Sequence, residues 1–223
     1  MKQSARKEYL AALGIETWAL RSTAEGAQRE DGADWAELRA RVAVCTRCSL
    51  SATRTQTVFG VGNLEAEWLI VGEAPGAEED RRGEPFVGRA GQLLNSMLRA
   101  IGLAREQVYI ANVLKCRPPG NRDPLPEEIS ACRPYLDQQV DLIGPRVVLT
   151  LGNFATRALL GTTEGISRLR GRSYPFGGRD AVLVPTFHPA AALRGGGEVM
   201  AKMRADFVRA RQSLERGGSR GHP

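Results

Sequence analysis

Four short apolar runs in the chain predict β-strands. They read WLIVG, VYIANVL, RVVLTLG and AVLVPTF, and they are rich in β-branched residues. Between them, apolar positions recur at helical spacing over residues 88–101, 126–143 and 153–160. Because helices alternate with strands, we expect the strands to be parallel and buried. The pattern predicts an α/β fold with three layers, α/β/α, around a central four-stranded, mainly parallel sheet.

The front of the chain follows a different pattern. Residues 1–24 have helical spacing, and the polar stretch STAEGAQREDGAD that follows is typical of a linker. A second helix should begin at about Asp34, which can act as its N-cap, and lead to Cys45. The sequence therefore predicts an N-terminal helix and flexible linker at 1–33, a folded domain at 34–216 and a disordered tail at 217–223. With 223 residues, 42% of them hydrophobic, the chain suits a single core.

Charge and hydropathy restrict the partners. The net charge is +6, and residues 165–223 hold eleven basic residues against four acids, which favours a polyanion such as nucleic acid. Solvated surface charge is the alternative, since only four of the 31 basic residues are lysine. No apolar run approaches the roughly 18 residues that cross a bilayer, and the start MKQSARKEYL lacks the apolar core of a signal peptide. We therefore expect a cytoplasmic protein with no membrane partner.

The four cysteines are spaced as in a metal site. Cys45 and Cys48 form a CxxC pair, and Cys116 and Cys132 follow with fifteen residues between them. Disulfides are not expected in the cytoplasm, and this CxxC does not open a helix after a strand as a thioredoxin motif does. The wide final interval favours an iron–sulfur cluster over structural zinc, which usually takes two short ligand pairs. Zinc, and four unrelated buried cysteines, stay open as alternatives.

The loops after the predicted strands hold acidic residues. Ligands of open α/β sheets bind at the carboxyl ends of strands, so these loops are the first place to look for a site. Glu73 and Glu79, with Asp80, follow the first strand in GEAPGAEED. One of these carboxylates could orient a water or stabilise a developing cation, and an acidic turn that caps the next helix is the alternative.

Three further loop residues suit the recognition of a flat base. Phe86 can stack on a base, Asn112 can both donate to and accept from a pyrimidine edge, and His188 can donate to an oxygen that gains negative charge. Each also has a structural interpretation. Phe86 could belong to the core, Asn112 could cap a turn, and His188 could cap a helix.

Five motifs together resemble family 4 uracil-DNA glycosylases, which carry an iron–sulfur cluster. The motifs are CTRC, GEAPGAEED, PFVGRAGQLL, NVLKCRPPGNRDP and HPAAAL, in the family's order and spacing between Cys45 and Arg211. The resemblance implies a monofunctional hydrolase that excises uracil from single- or double-stranded DNA and so initiates base excision repair. It implies a [4Fe-4S] cluster on Cys45, Cys48, Cys116 and Cys132. We expect a monomer.

The resemblance also implies a base pocket. Uracil would be flipped out of the helix, stacked on Phe86, read by Asn112 along N3 and O4, and contacted at O2 by His188. The backbone around Glu73 and Ala74 would form the pocket floor.

The residue that positions the attacking water is less clear from the motifs. Some relatives place an aspartate general base where this chain has Ala74. Glu79 or Glu73 is therefore expected to hold the water, with Asp80 behind them.

Contacts with DNA are expected on two segments. The resemblance implies that LRGGG, with Leu193 and Arg194, inserts into the DNA to fill the space that the base leaves. The cysteine site would position Arg117, Arg122 and Arg133 near phosphates.

Other activities stay open at this stage. Lys115 beside a base pocket could form a Schiff base, but its neighbour Cys116 is expected to direct it elsewhere. A non-catalytic iron–sulfur protein that binds nucleic acid is one alternative, and a sibling glycosylase for other deaminated bases is another. A sibling that traps uracil covalently is disfavoured, because PTFHP lacks the inserted basic loop of that branch.

Overall fold

The computed structural model describes residues 31–177 and 181–218. The chain divides into two units, residues 1–34 and 35–223. Every element described below lies in the second unit, except that the first helix begins in the first unit, at Asp31. The helix and linker predicted at 1–33 lie almost wholly outside the described residues. The predicted tail lies outside them from residue 219 onward.

One six-stranded sheet, in the order β1-β3-β2-β4-β6-β5, forms the centre of the described chain. Strands β3, β2, β4 and β6 are parallel and lie within the four predicted apolar runs, whereas β1 and β5 pair antiparallel at the two edges. The sheet therefore has two strands more than the four predicted. The additional strands lie at the edges and are too short to show the alternating apolar pattern of a strand in the sequence. The strands are β1 (Val61–Gly62), β2 (Trp68–Gly72), β3 (Tyr109–Asn112), β4 (Val147–Leu151), β5 (Tyr174–Phe176) and β6 (Ala181–Thr186).

Seven α-helices are found among the described residues. The first begins three residues before Asp34, so the predicted N-cap lies inside the helix. The last is broken at Gly196, where φ is 69° and ψ is −158°, a conformation open essentially to glycine alone. The helices are α1 (Asp31–Ala43), α2 (Ala77–Arg82), α3 (Arg89–Ala100), α4 (Pro126–Ile143), α5 (Asn153–Leu160), α6 (Ile166–Leu169) and α7 (Pro189–Gly218).

Helices cover both faces of the sheet. Neighbouring residues of β2 face opposite sides, so Val71 joins one core and Ile70 the other. The first core takes the apolar sides of α1, α4 and α5, including Leu38 and Leu136. The second takes those of α3 and α7, including Phe207. The predicted three-layer α/β/α architecture is therefore confirmed.

The carboxyl ends of the parallel strands lie side by side along one end of the sheet. Gly72 at the end of β2 pairs with Asn112 at the end of β3, and Leu151 of β4 pairs with Thr186 of β6. The loops that carry the predicted site residues therefore leave the sheet side by side. No helix in the described parts of the chain is long and apolar enough to span a membrane.

Candidate active site and cysteine cavity

A cleft of about 420 Å³ opens at the carboxyl ends of β2, β3 and β6. It brings together most of the residues that the sequence singled out, although they lie far apart in the chain. Eight predicted site residues line it, namely Glu73, Ala74, Glu79, Phe86, Asn112, Arg122, His188 and Arg194. Six others line it as well, namely Pro75, Gly76, Ala90, Pro118, Asn121 and Ala190.

Asn112 presents an unpaired amide oxygen in this cleft. The residue is only 2% exposed, and its Oδ1 has no hydrogen-bond partner among the described residues. Leaving a buried acceptor unpaired is costly, which points to a donor supplied by a ligand. Gly72 makes room for the amide, since a Cβ there would lie 2.3 Å from Oδ1 of Asn112 and 2.6 Å from Cζ of Phe86.

The Phe86 ring is held by an unusual backbone. Its φ is 54°, in the left-handed region that few bulky residues adopt. The carbonyl of Phe86 packs against Gly91, where a Cβ would lie 1.7 Å from that oxygen. Next to it, Arg105 donates through Nη2 to the carbonyl of Pro85 at 2.6 Å. Strained backbone conformations of this kind cluster at functional sites, where the surrounding structure holds one side chain in a fixed position.

Glu79 supports the loop at 83–88, between α2 and α3, which carries Phe86 and is called the Phe86 loop below. Its Oε1 accepts hydrogen bonds from the backbone N–H groups of Val87 at 3.0 Å and Gly88 at 3.1 Å. Its other oxygen lies next to Gly76, where a Cβ would be only 2.8 Å away. One oxygen of Glu79 is therefore committed to the Phe86 loop, and the carboxylate still lines the cleft.

His188 is arranged as a neutral hydrogen-bond donor. Its ring centroid lies 5.7 Å from that of Phe86, and its Nδ1 accepts a hydrogen bond from the backbone N–H of Ala190 at 3.1 Å. Burial, together with the positive charge of Arg194, lowers the pKa of His188 to about 4, against the opposing effect of Glu79. The neutral ring, accepting at Nδ1, carries its proton on Nε2.

Glu73 and Asp80 lie in different environments. Burial raises the pKa of Glu73 to about 7, and the nearby carboxylate of Asp123 contributes in the same direction. Asp80 is buried outside the cleft lining, and both its oxygens accept from the N–H of Thr55, at 3.0 and 3.1 Å. Asp80 thus holds the segment after the CxxC pair, and its place behind a catalytic water stays a prediction.

The three arginines expected near phosphate separate in space. Arg122 lines the cleft and forms a two-pronged pair with the buried carboxylate of Glu128, at 2.9 and 2.5 Å. Arg117 does not line it and donates through Nε to Oδ1 of Asn121 at 2.7 Å. Arg133 does not line the cleft and pairs with Asp137 and with a carbonyl of α5, and its approach to phosphate stays a prediction.

The segment expected to enter DNA lies at the rim. Leu193 is 42% exposed, which is unusual for a large apolar side chain, and Arg194 beside it lines the cleft. The break at Gly196 follows directly. Six residues of the cleft lining, Asn121 and Ala90 among them, were not predicted from the sequence. Asn121 has a φ of 55°, and the PPGN turn was the one signal that could have indicated it.

All four cysteines line one second cavity. Two of the sulfurs accept hydrogen bonds. Arg54 donates through Nη1 to Sγ of Cys116, and the N–H of Lys115 donates to Sγ of Cys132, both at 3.2 Å. Burial raises the pKa of the Cys132 thiol to about 11 and also raises that of Cys116. Within the described residues, no three His, Cys, Asp or Glu side chains are grouped around a point where one metal ion would sit.

Lys115 lies between the two cavities. It lines the cysteine cavity and not the cleft, and its Nζ donates to the carbonyl of Asn112 at 2.8 Å and to Oε1 of Gln139 at 2.6 Å. The lysine is therefore directed away from a base in the cleft, as expected from its neighbour Cys116.

The chain is similar to known uracil-DNA glycosylases. Residues 59–215 match the model of the uracil DNA glycosylase superfamily. The Type-4 uracil-DNA glycosylase of Sulfurisphaera tokodaii is 46% identical over 164 residues, which cover 70% of this chain and 74% of that protein. The Type-4 enzyme of Archaeoglobus fulgidus is 50% identical, over 67% of this chain and 78% of its own length. That of Thermotoga maritima is 44% identical, over 80% and 93%. The chain belongs to the uracil DNA glycosylase superfamily.

Proposed function

We propose that this protein excises uracil from DNA by hydrolysing the N-glycosidic bond, the step that initiates base excision repair. One observation carries the proposal, which is the unpaired oxygen of Asn112 buried beside Phe86 and His188. Relatives named Type-4 uracil-DNA glycosylases match most of the chain. The names of these relatives support the same activity.

The cleft residues suit uracil in particular. Uracil has a donor at N3 and an acceptor at O4, so it can donate to Oδ1 of Asn112 and accept from the same amide. The Phe86 ring offers a face for stacking the flipped base, next to the His188 ring. Cytosine has an acceptor at N3 and a donor at N4, so an amide held in the orientation that suits uracil would set Oδ1 against a lone pair and Nδ2 against a donor.

His188 is suited to the departing base. As the glycosidic bond breaks, uracil leaves as an anion with charge on O2, and a fixed donor lowers the energy of that state. With Nδ1 bound to the N–H of Ala190, Nε2–H of His188 is the group left to donate. A neutral donor stays available across physiological pH, because the pKa of His188 lies well below that range.

Glu73 is the better candidate for orienting the water. A carboxylate with a pKa near neutrality can accept a proton from an attacking water and still be ionised at working pH. Glu79 has one oxygen committed to the Phe86 loop, so its contribution is to hold that loop and to add negative charge near the sugar cation. The two glutamates thus have separate roles.

DNA would approach across the rim of the cleft. Arg194 and Arg122 line the cleft and are exposed, so they are suited to contacting phosphates beside a flipped nucleotide. Leu193 is the apolar side chain available to enter the space that the base leaves. The substrate class is uracil-containing DNA, single- or double-stranded.

The four cysteines fit a [4Fe-4S] cluster. They line a common cavity, and in such a cluster each thiolate binds a different iron, so the sulfurs need not meet at one point. The donors from Arg54 and Lys115 would stabilise thiolates, and a bound metal would overcome the raised pKa values of the buried thiols. The cluster would join the segment after α1, the loop after β3 and helix α4. Its contribution would be structural, because the hydrolysis of the glycosidic bond transfers no electron.

Replacing His188 with alanine should remove most of the activity. We expect a fall of about 100- to 1,000-fold in the single-turnover rate of uracil release, the usual loss for one such donor. Affinity for uracil-containing DNA and the melting temperature should stay close to those of the wild type. The matched control is His222→Ala, the only other histidine. Wild-type turnover in His188→Ala would contradict the role.

The pH dependence should report the ionisation of Glu73. Below about pH 7 this carboxyl is protonated and cannot accept a proton from water. The single-turnover rate should therefore rise about tenfold per pH unit up to pH 7 and level off above it. His188 should add no inflection near its ordinary pKa. Glu73→Gln should abolish the rise and lower the plateau, whereas Glu78→Gln on the exposed side of α2 should preserve both. A rise that persists in Glu73→Gln would assign it to another group.

Serine substitutions should test the cluster. Cys45→Ser and Cys116→Ser should each reduce iron content and visible absorbance, and each should lower the melting temperature by about 10 °C. Ser51→Ala is the control, because its hydroxyl bonds the carbonyl of Cys48 without reaching a sulfur. If the cysteines were merely packed, Cys45→Ser at its half-exposed position would leave stability unchanged. That result, in a colourless wild-type protein purified without oxygen, would reject the cluster.

A further inference from the structure

We propose that Lys115 is a positioning residue for base recognition, which holds the Asn112 backbone in the orientation that presents its amide to the base. This inference rests on the proposed function of the cleft. Lys115 does not touch the base, since it lies outside the cleft lining. It would act only through Asn112.

The sheet leaves the carbonyl of Asn112 without a strand partner. The N–H of Val113 donates to the carbonyl of Gly72 on the β2 side, at 2.9 Å. The two groups of a trans peptide point in opposite directions, so the Asn112 carbonyl points toward the β1 side. Strand β1 pairs only with Tyr109 and Ile110, and it does not reach Asn112. The ammonium of Lys115, 2.8 Å away, supplies the missing donor.

The lysine is itself held on several sides. It is 1% exposed, and its Nζ also donates to Oε1 of Gln139 at 2.6 Å. Gln139 in turn donates through Nε2 to the carbonyl of Phe59 at 3.0 Å and to the hydroxyl of Tyr109 at 3.2 Å. Burying an ammonium is costly, so a lysine that only filled space would be destabilising compared with an apolar residue.

The main chain of Lys115 is fixed as well. Its N–H donates to Sγ of Cys132, and its carbonyl accepts from the N–H of Val58 at 2.8 Å. Backbone and side chain of one residue thus join the cysteine cavity to the last residue of β3. The bond from Nζ of Lys115 to the carbonyl of Asn112 opposes rotation of the Asn112–Val113 peptide, which would change the direction in which the Asn112 backbone presents its side chain.

A double-mutant cycle tests the inference. Lys115→Met removes the donor with little loss of volume, and we expect the single-turnover rate of uracil release to fall about 10- to 100-fold, as for a misplaced binding group. Affinity for DNA, visible absorbance and iron content should stay within twofold of the wild type. Because Lys115 acts through Asn112, the variant Lys115→Met with Asn112→Ala should be no slower than Asn112→Ala alone.

Controls separate this role from a merely structural one. Lys202→Met removes the same group from the exposed side of α7 and should match the wild type. If Lys115→Met does not fold, Lys115→Gln carries the same cycle, with a smaller loss that should again vanish in Asn112→Ala. Losses that multiply in the double variant would overturn the inference, and so would a rate in Lys115→Met equal to that of Lys202→Met. A wild-type protein that releases no uracil would reject the proposed function instead.

Discussion

The approach of Asn112 and Phe86 over Gly72 is the contact on which the site depends. A parallel pair of strands ends there, and the absence of a Cβ leaves room for an amide and an aromatic ring on the same spot. Any side chain at Gly72 would overlap both groups. The base pocket is therefore set by the backbone register of β2 and β3 and by one glycine.

Other interactions hold this contact from outside. Glu79 and Arg105 hold the loop that keeps Phe86 in its left-handed conformation, and Gly91 lets the Phe86 carbonyl pack closely. On the opposite side, Lys115 provides the donor that the short edge strand does not. The polar groups around the pocket are thus arranged before a ligand arrives, which is how a site avoids reorganisation during the reaction.

Much of this arrangement could be predicted from the sequence, because the central strands are apolar runs buried on both faces. The edge strands could not, since β1 and β5 have two and three residues. The positive φ of Phe86 could not be predicted from the sequence either, because phenylalanine disfavours it and it depends on tertiary contacts of the loop with Glu79, Arg105 and Gly91.

Roles that depend on pairing were the hardest to predict. Asp80 belongs to an acidic motif that suggested catalysis, yet the N–H of Thr55 occupies both its oxygens. Glu128 is typical of a first helical turn, and its pairing with Arg122 of the cleft became apparent only in three dimensions. Local patterns identified the kinds of group present, and tertiary contacts decided which of them face the ligand.

The most direct measurement identifies the base that the wild-type protein releases from DNA duplexes differing at one position, with uracil or cytosine there. The amide of Asn112 and the donor on His188 predict that free uracil appears and that cytosine stays attached. Release of cytosine as fast as uracil, or no release of any base, would contradict the account.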